Sequence, residues 1–150
     1  MNLRGLSCII CCVFALLSLT TTAFAHHQVV LVTNSSCPID TISSLELRKI
    51  YFGIKVKHNN VYIKGIHNLS NDQLDNIFLQ TVVAMSSKSY QRRLLAQSLN
   101  IGRPRIANFF DMETLVTELR KIPCNVTYMW ENKANEFDDL KIIKLLWQKN

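Results

Sequence analysis

Four histidines, two cysteines beyond residue 25, a serine at a helix start and two closely spaced arginines set the chemistry open to this chain. The histidines lack metal-ligand spacing. His26 and His27 could chelate Cu²⁺ through a free amine and an imidazole if the chain were trimmed there, but termini fray and the pair reads as a solvated tail. His58 and His67 flank a strand pattern and read as surface histidines. Cys124 would need a neighbouring His and base to act as a nucleophile. Residues 26–150 carry no G-x-S-x-G, H-E-x-x-H, Walker or C-x-x-C motif. The sequence therefore predicts no catalytic residue, no metal and no cofactor, which is the profile of a protein that is not an enzyme.

Anion binding is the chemistry these residues serve better. Ser70-Asn71-Asp72-Gln73 opens a helical pattern, where backbone amides and the helix dipole attract an anion and where Ser70 and Asn71 could act as ligands. The same four residues make a capping box, so Ser70 has a structural role available, and the two roles are compatible. Asp72 argues against phosphate: two unit charges about 4 to 5 Å apart cost about 3 to 4 kcal/mol at an effective dielectric near 20. Arg103 and Arg105, on a loop after Gly102, could present paired donors to a carboxylate or phosphate, or simply be solvated.

The first 25 residues read as an export signal: Arg4, an apolar run from Leu6 to Leu19, then Ala23-Phe24-Ala25 as a small-x-small cleavage point before His26. The run is shorter than the roughly 20 residues a membrane span needs, so no stable insertion is expected after cleavage. Loss of Arg4 takes the formal charge from +6 to +5, which favours anionic partners or surfaces. Nucleic acid is not expected, because Arg92, Arg93, Arg103 and Arg105 are interrupted by core-like Leu and Ile. Export places Cys37 and Cys124 in an oxidising compartment. A disulfide there would close a loop of about 86 residues and contribute about 4 to 5 kcal/mol on the chain-entropy model. Two buried free thiols are the alternative.

These residues must be held by one domain, 26–150, with one core. Its centre is Ser43 to Gly53. Ser43 or Ser44 caps a helix with Glu46 in its first turn; Leu45, Leu47, Ile50, Tyr51 and Phe52 form the apolar face; Arg48 and Lys49 point outward; Gly53 ends it. Gln28 to Thr33 is a continuous apolar run that fits a strand covered on both faces. Asn59-Asn60 is a turn before a strand at Val61 to Ile66. A long helix runs from Ser70 through Leu74, Ile77, Phe78, Thr81, Val82 and Met85, breaks at Ser86-Ser87 and restarts at Ser89. Asp111 caps a further helix, Met112 to Lys121. Strands follow at Val126 to Trp130 and Lys141 to Trp147, the second a short apolar run that also fits a helix, with an exposed polar linker over 131–139. Alternating strands and helices predict an α/β fold, a single layered domain with a mixed sheet flanked by helices.

The stretch Leu45-Glu46-Leu47-Arg48-Lys49-Ile50-Tyr51-Phe52-Gly53, with Gly102-Arg103-Pro104 and the strand pattern at Val126 to Met129, resembles the small exported proteins related to the substrate-binding component of phosphate ABC transporters. The resemblance implies about one lobe of the type II periplasmic-binding-protein fold. It also implies a small-anion ligand, an envelope transporter or sensor as partner, and a periplasmic or secreted location. Two family features are missing. Where the larger relatives carry S-G-T at the start of the long helix, this chain has His67-Asn68-Leu69-Ser70-Asn71-Asp72-Gln73. Where they carry G-A-I-G-Y, it has Cys124-Asn125-Val126-Thr127-Tyr128. Two functions are therefore open: a solute-binding module for phosphate or another small anion, or an envelope interaction protein that keeps the fold without the ligand site. An exported enzyme is a distant third.

Overall fold

The computed structural model describes residues 27–101 and 105–149, without the side chains of 100 and 101. The export signal, His26 and Arg103 lie outside the described residues. Among those described, the chain runs β1 (Gln28–Asn34), α1 (Ser44–Tyr51), β2 (Val56–His58), β3 (Val61–Asn68) and α2 (Asp72–Phe78), which continues as a π-helical turn (Leu79–Val83). It goes on through α3 (Ser87–Ile101), β4 (Ala107–Phe109), α4 (Met112–Lys121), β5 (Asn125–Trp130), α5 (Glu131–Ala134) and β6 (Leu140–Gln148).

The strands form one mixed sheet in the order β2-β3-β5-β1-β6, with β4 parallel to β3 alongside it. β1 lies between β5 and β6 and is antiparallel to both. That central position explains its unbroken apolar sequence, because Val29 to Val32 are all buried. Period-two alternation sends Val29 and Leu31 to one face of the sheet and Val30 and Val32 to the other. The first face is covered by α1, α2 and the π turn, through Leu47, Ile50, Tyr51, Leu74, Phe78 and Leu79. The second is covered by α4 and α5, through Leu115, Leu119 and Ala134.

α1 forms for the reasons its sequence states. Ser43 and Glu46 make a reciprocal capping box, and Gly53 takes φ 68° just beyond the last turn. Leu47, Ile50 and Tyr51 are buried, whereas Leu45, expected on the apolar face, is 63% exposed. The buried arc of an eight-residue helix is narrow, and Leu45 falls outside it. α1 lies so close to β3 that a Cβ on Gly65 would stand 2.9 Å from Ile50 Cγ2, which explains the glycine at that position. Cys37 and Cys124 are joined by a disulfide with Cα atoms 5.0 Å apart, tying the loop after β1 to the start of β5.

Several local expectations are corrected. Asn71, not Ser70, caps α2 and accepts from Leu74 N at 2.9 Å. The long helix is α-helical for only seven residues; after the π turn it stops at Ala84, which has φ 57°. α3 begins at Ser87 rather than Ser89. The stretch 131–139 contains α5, with Ala134 buried against the second face. β2 and β4 have only three residues each, too few for a periodic signal. Asn59 and Asn60, both at positive φ, turn β2 into β3 as a two-residue hairpin.

Candidate functional site

The site begins where two parallel strands part. β3 and β5 pair only at Lys64–Asn125 and Gly65–Val126, so the carbonyl groups beyond need other donors. Thr127 Oγ1 donates to Ile66 O at 3.0 Å, and the Tyr51 hydroxyl lies 3.1 Å from Ile66 O and 3.2 Å from Val126 O. Asn68 Nδ2 donates to Tyr128 O at 3.0 Å. Side chains replace the missing rungs, and an aromatic cluster fills the gap. Phe78 stacks on Tyr128 with centroids 3.8 Å apart, and Tyr51 stands 4.5 Å from Phe78.

His67 is set into this cluster and only 3% exposed. The surface role expected for it is wrong, because pairing with β4 at Asn108 extends β3 past Ile66 and turns the imidazole inward. His58 is half-buried, with Nδ1 3.7 Å from Glu46. Proton counting fixes the roles around His67. The Tyr90 hydroxyl donates its one proton to the Tyr51 carbonyl, so His67 Nε2, 2.8 Å from Tyr90 Oη, carries hydrogen and donates. On the other side Tyr128 Oη donates to Asp75 Oδ1 at 2.6 Å and lies 3.0 Å from His67 Nδ1.

With Asp75 ionised and His67 neutral, the Nδ1 contact sets two acceptors against each other. One added proton resolves it in either of two ways. Asp75 becomes a carboxylic acid that donates to Tyr128, which turns its own proton to Nδ1. Alternatively Nδ1 is protonated and donates to Tyr128, while Asp75 remains a carboxylate. Burial pushes the imidazole down to about 4. It also raises the Asp75 carboxyl, helped by the charge of Asp72 and opposed by the Tyr128 hydrogen bond. Both shifts favour the uncharged arrangement.

Above this chain of hydrogen bonds lies a groove of about 550 Å³. His67, Asp75 and Tyr90 are among its polar groups, with Ser87, Gln91, Gln97 and Asn108, and Phe52, Leu69, Leu79, Leu94, Leu95 and Ile106 supply apolar wall. Lys88 and Arg92 from α3, and Arg105 from the segment leading into β4, add positive charge. Of the three described residues expected to meet an anion, Ser70, Asn71 and Arg105, only Arg105 lines this groove. Ser70 is exposed, and both its N and Oγ donate to Asn68 Oδ1, at 3.1 and 2.6 Å. The Asn71 side chain is engaged as the cap. The sequence reading missed His67, Asp75, Tyr90 and Tyr128. They come from four separate elements, and the one available signal was a histidine at the end of a strand followed by a helix with acidic residues in its first turn.

Among the described residues, no group of three or more His, Cys, Asp and Glu could hold a metal ion, and no helix is long and apolar enough to cross a membrane.

Solved structures share this architecture. A substrate-binding protein of the phosphate ABC transporter type from Clostridium perfringens, solved with bound phosphate, superposes with a TM-score of 0.56 at 12% identity, over 79% of this chain and 45% of its own. PstS from Borrelia burgdorferi matches at 0.57 and 14% identity, over 79% and 47%. An ABC-type phosphate transport receptor from Vibrio cholerae matches at 0.50 and 14%, over 79% and 46%. The chain thus spans less than half the length of each. No protein-family model matches it, and no curated protein does. The fold is a mixed α/β arrangement, a curled sheet flanked by helices, that corresponds to part of a periplasmic binding protein.

Proposed function

We propose that this is an exported, non-enzymatic solute-binding module whose ligand occupies the groove over His67 and Asp75. The observation that carries this reading is the groove's position at the C-terminal end of β3, outside a sheet whose architecture recurs in substrate-binding proteins. Open α/β sheets place ligands at such strand ends. The combination of apolar wall and a few polar groups is that of a small-molecule pocket. The export signal over 1–25 and the domain over 26–150 belong to the same proposal, as do a periplasmic or secreted location and a transporter or sensor as partner. The test is the melting temperature of the exported protein with a panel of small anions and organic solutes. A ligand at about 100-fold excess over its Kd stabilises by about 2.7 kcal/mol. A rise with a panel member that is lost on filling the groove by Leu94→Trp, at a half-buried wall position, in a variant that stays folded, is the expected result. No shift with any solute contradicts it.

A second reading, an envelope interaction protein that keeps the fold without a ligand site, draws on one feature. The turn after β3 is already satisfied from within: Asn68 takes the Ser70 amide, Asn71 takes that of Leu74, and Asp72 and Asp75 stand in the first turn of α2. A melting temperature indifferent to every solute, together with specific capture of an envelope protein, would favour this reading.

A further inference from the structure

The groove that the proposed function assigns to a solute also restricts its class, and this inference rests on that reading. The anion site expected at the start of α2 is occupied by the chain's own Asn71 cap, with Asp72 as the first residue of the helix, while Asp75 lines the groove with its carboxylate accepting from Tyr128. Positive charge is instead found around the groove. No ion pair among the described residues engages Lys88, Arg92 or Arg105. Lys88, Arg92 and Leu95 fall at helical spacing along one side of α3, and Arg105 belongs to the segment entering β4. Between and below these cations the wall is apolar, with Leu69, Leu79, Leu94 and Ile106. A free phosphate ion would fill a small part of about 550 Å³ and leave that wall wet. Burial of apolar ligand surface is worth about 25 cal/mol per Å², a gain inorganic phosphate cannot make.

We propose that the groove binds an amphipathic organic anion, with its single charged head at Lys88, Arg92 and Arg105 and its apolar body against Leu69, Leu79, Leu94 and Ile106. Head and body are both needed. The exposed cations are screened by solvent and hold a small ion weakly, while a neutral apolar molecule leaves them unanswered.

Anilinonaphthalene sulfonate, whose fluorescence rises on leaving water, is the probe for titrating the exported protein, with decanoate, decanol and inorganic phosphate as competitors. The expected result is saturable binding of one probe per chain, displaced by decanoate and far less by equal concentrations of decanol or phosphate. Arg92→Glu/Arg105→Glu should weaken the probe by about tenfold or more, a difference of 1.4 kcal/mol or more. Lys49→Glu/Lys121→Glu, with the same change in net charge outside the groove, should leave affinity within about twofold at an ionic strength of about 0.15 M. Lys88→Glu is the substitute should the arginine pair fail to fold, as judged by circular dichroism. Equal affinity in the two folded double variants would overturn the placement of the head. Displacement by phosphate but not decanoate would overturn the ligand class while leaving a solute-binding module. Loss of both probe binding and every solute-induced melting shift would remove the two proposals together.

Discussion

The two faces of the sheet solve the same burial problem in different ways. Under α4 and α5 the cluster is aliphatic, with Val30, Val32, Ile66 and Met129 closed over by Leu115 and Leu119 of α4, and the polar side chains buried on that face, Asn125 and Thr127, are uncharged. Its charged partners stay at the surface, as in the Arg120–Asp139 pair at 2.6 Å. Under α1 and α2 the core is larger and includes Tyr51, Tyr90 and Tyr128, and hydrogen bonds run from the Tyr51 carbonyl through the Tyr90 hydroxyl, His67 and the Tyr128 hydroxyl to Asp75. That face does not close; it opens into the groove. Buried polar groups are costly unless each is partnered, and a buried chain of titratable groups, His67, Asp75, Tyr90 and Tyr128, runs under one face and not the other, which marks the face where the fold keeps something besides stability.

The largest effect that should break the comparison is a charge placed under α1. Ile50→Asp buries an unpaired carboxylate and should cost several kcal/mol, enough to threaten a domain of ordinary stability, whereas Lys49→Asp next to it should cost little. Urea midpoints of the two variants check this, and equal midpoints would place the face of α1 wrongly.

Next in size is the disulfide, which belongs to the polar face, since Cys37 and Cys124 pack in its core. Its reduction should lower stability by about 2 to 5 kcal/mol. Alkylation of the unfolded, unreduced protein should label neither cysteine, and two labelled thiols would remove the bridge.

Acid should then separate the faces. Between pH 6.5 and about 4 the unfolded chain binds a proton at His67 that the folded protein resists, so this term is fully present above 6.5 and is lost as pH falls. That depression corresponds to about 3 kcal/mol. Asp75 acts in the opposite sense: its raised carboxyl binds a proton in the folded state before the unfolded one, so its term favours folding as pH falls and is lost as pH rises. Asp75→Asn removes that compensation and should lose stability more steeply than the native protein from pH 6.5 to 4. Leu119→Ala, on the apolar face, should cost about 2 to 5 kcal/mol at either end of that range. Parallel pH profiles for native and Asp75→Asn would break the proton coupling. The smallest effect belongs to Arg120→Ala, which removes an exposed ion pair and should leave the melting temperature nearly unchanged.

What could be read from the sequence follows the range of the interactions. α1 was legible because cap, apolar face and stop lie within eleven residues, and β1 because a strand covered on both faces needs an unbroken apolar run. The mixed sheet with flanking helices followed from the alternation of such signals. The groove was not legible, since His67 becomes a core residue only when β4, some forty residues later, extends β3, and its partners Tyr90 and Tyr128 look like ordinary core aromatics. Ser70 and Asn71 were chosen from the local chemistry of a helix start; the structure gives that chemistry to the chain's own caps. Arg105 was named for its charge, and its neighbours in the groove come from α3, whose pattern gave no hint of them.

The most direct test of the account is a map of amide chemical shifts in the exported, isotope-labelled protein as decanoate is added. The account predicts saturable changes clustered at Leu69, Leu79, Leu94 and Ile106, with the amides of Leu115, Leu119 and Met129 unmoved. Changes centred on the α4 face, or a spectrum that decanoate and every other solute leave untouched, would contradict it.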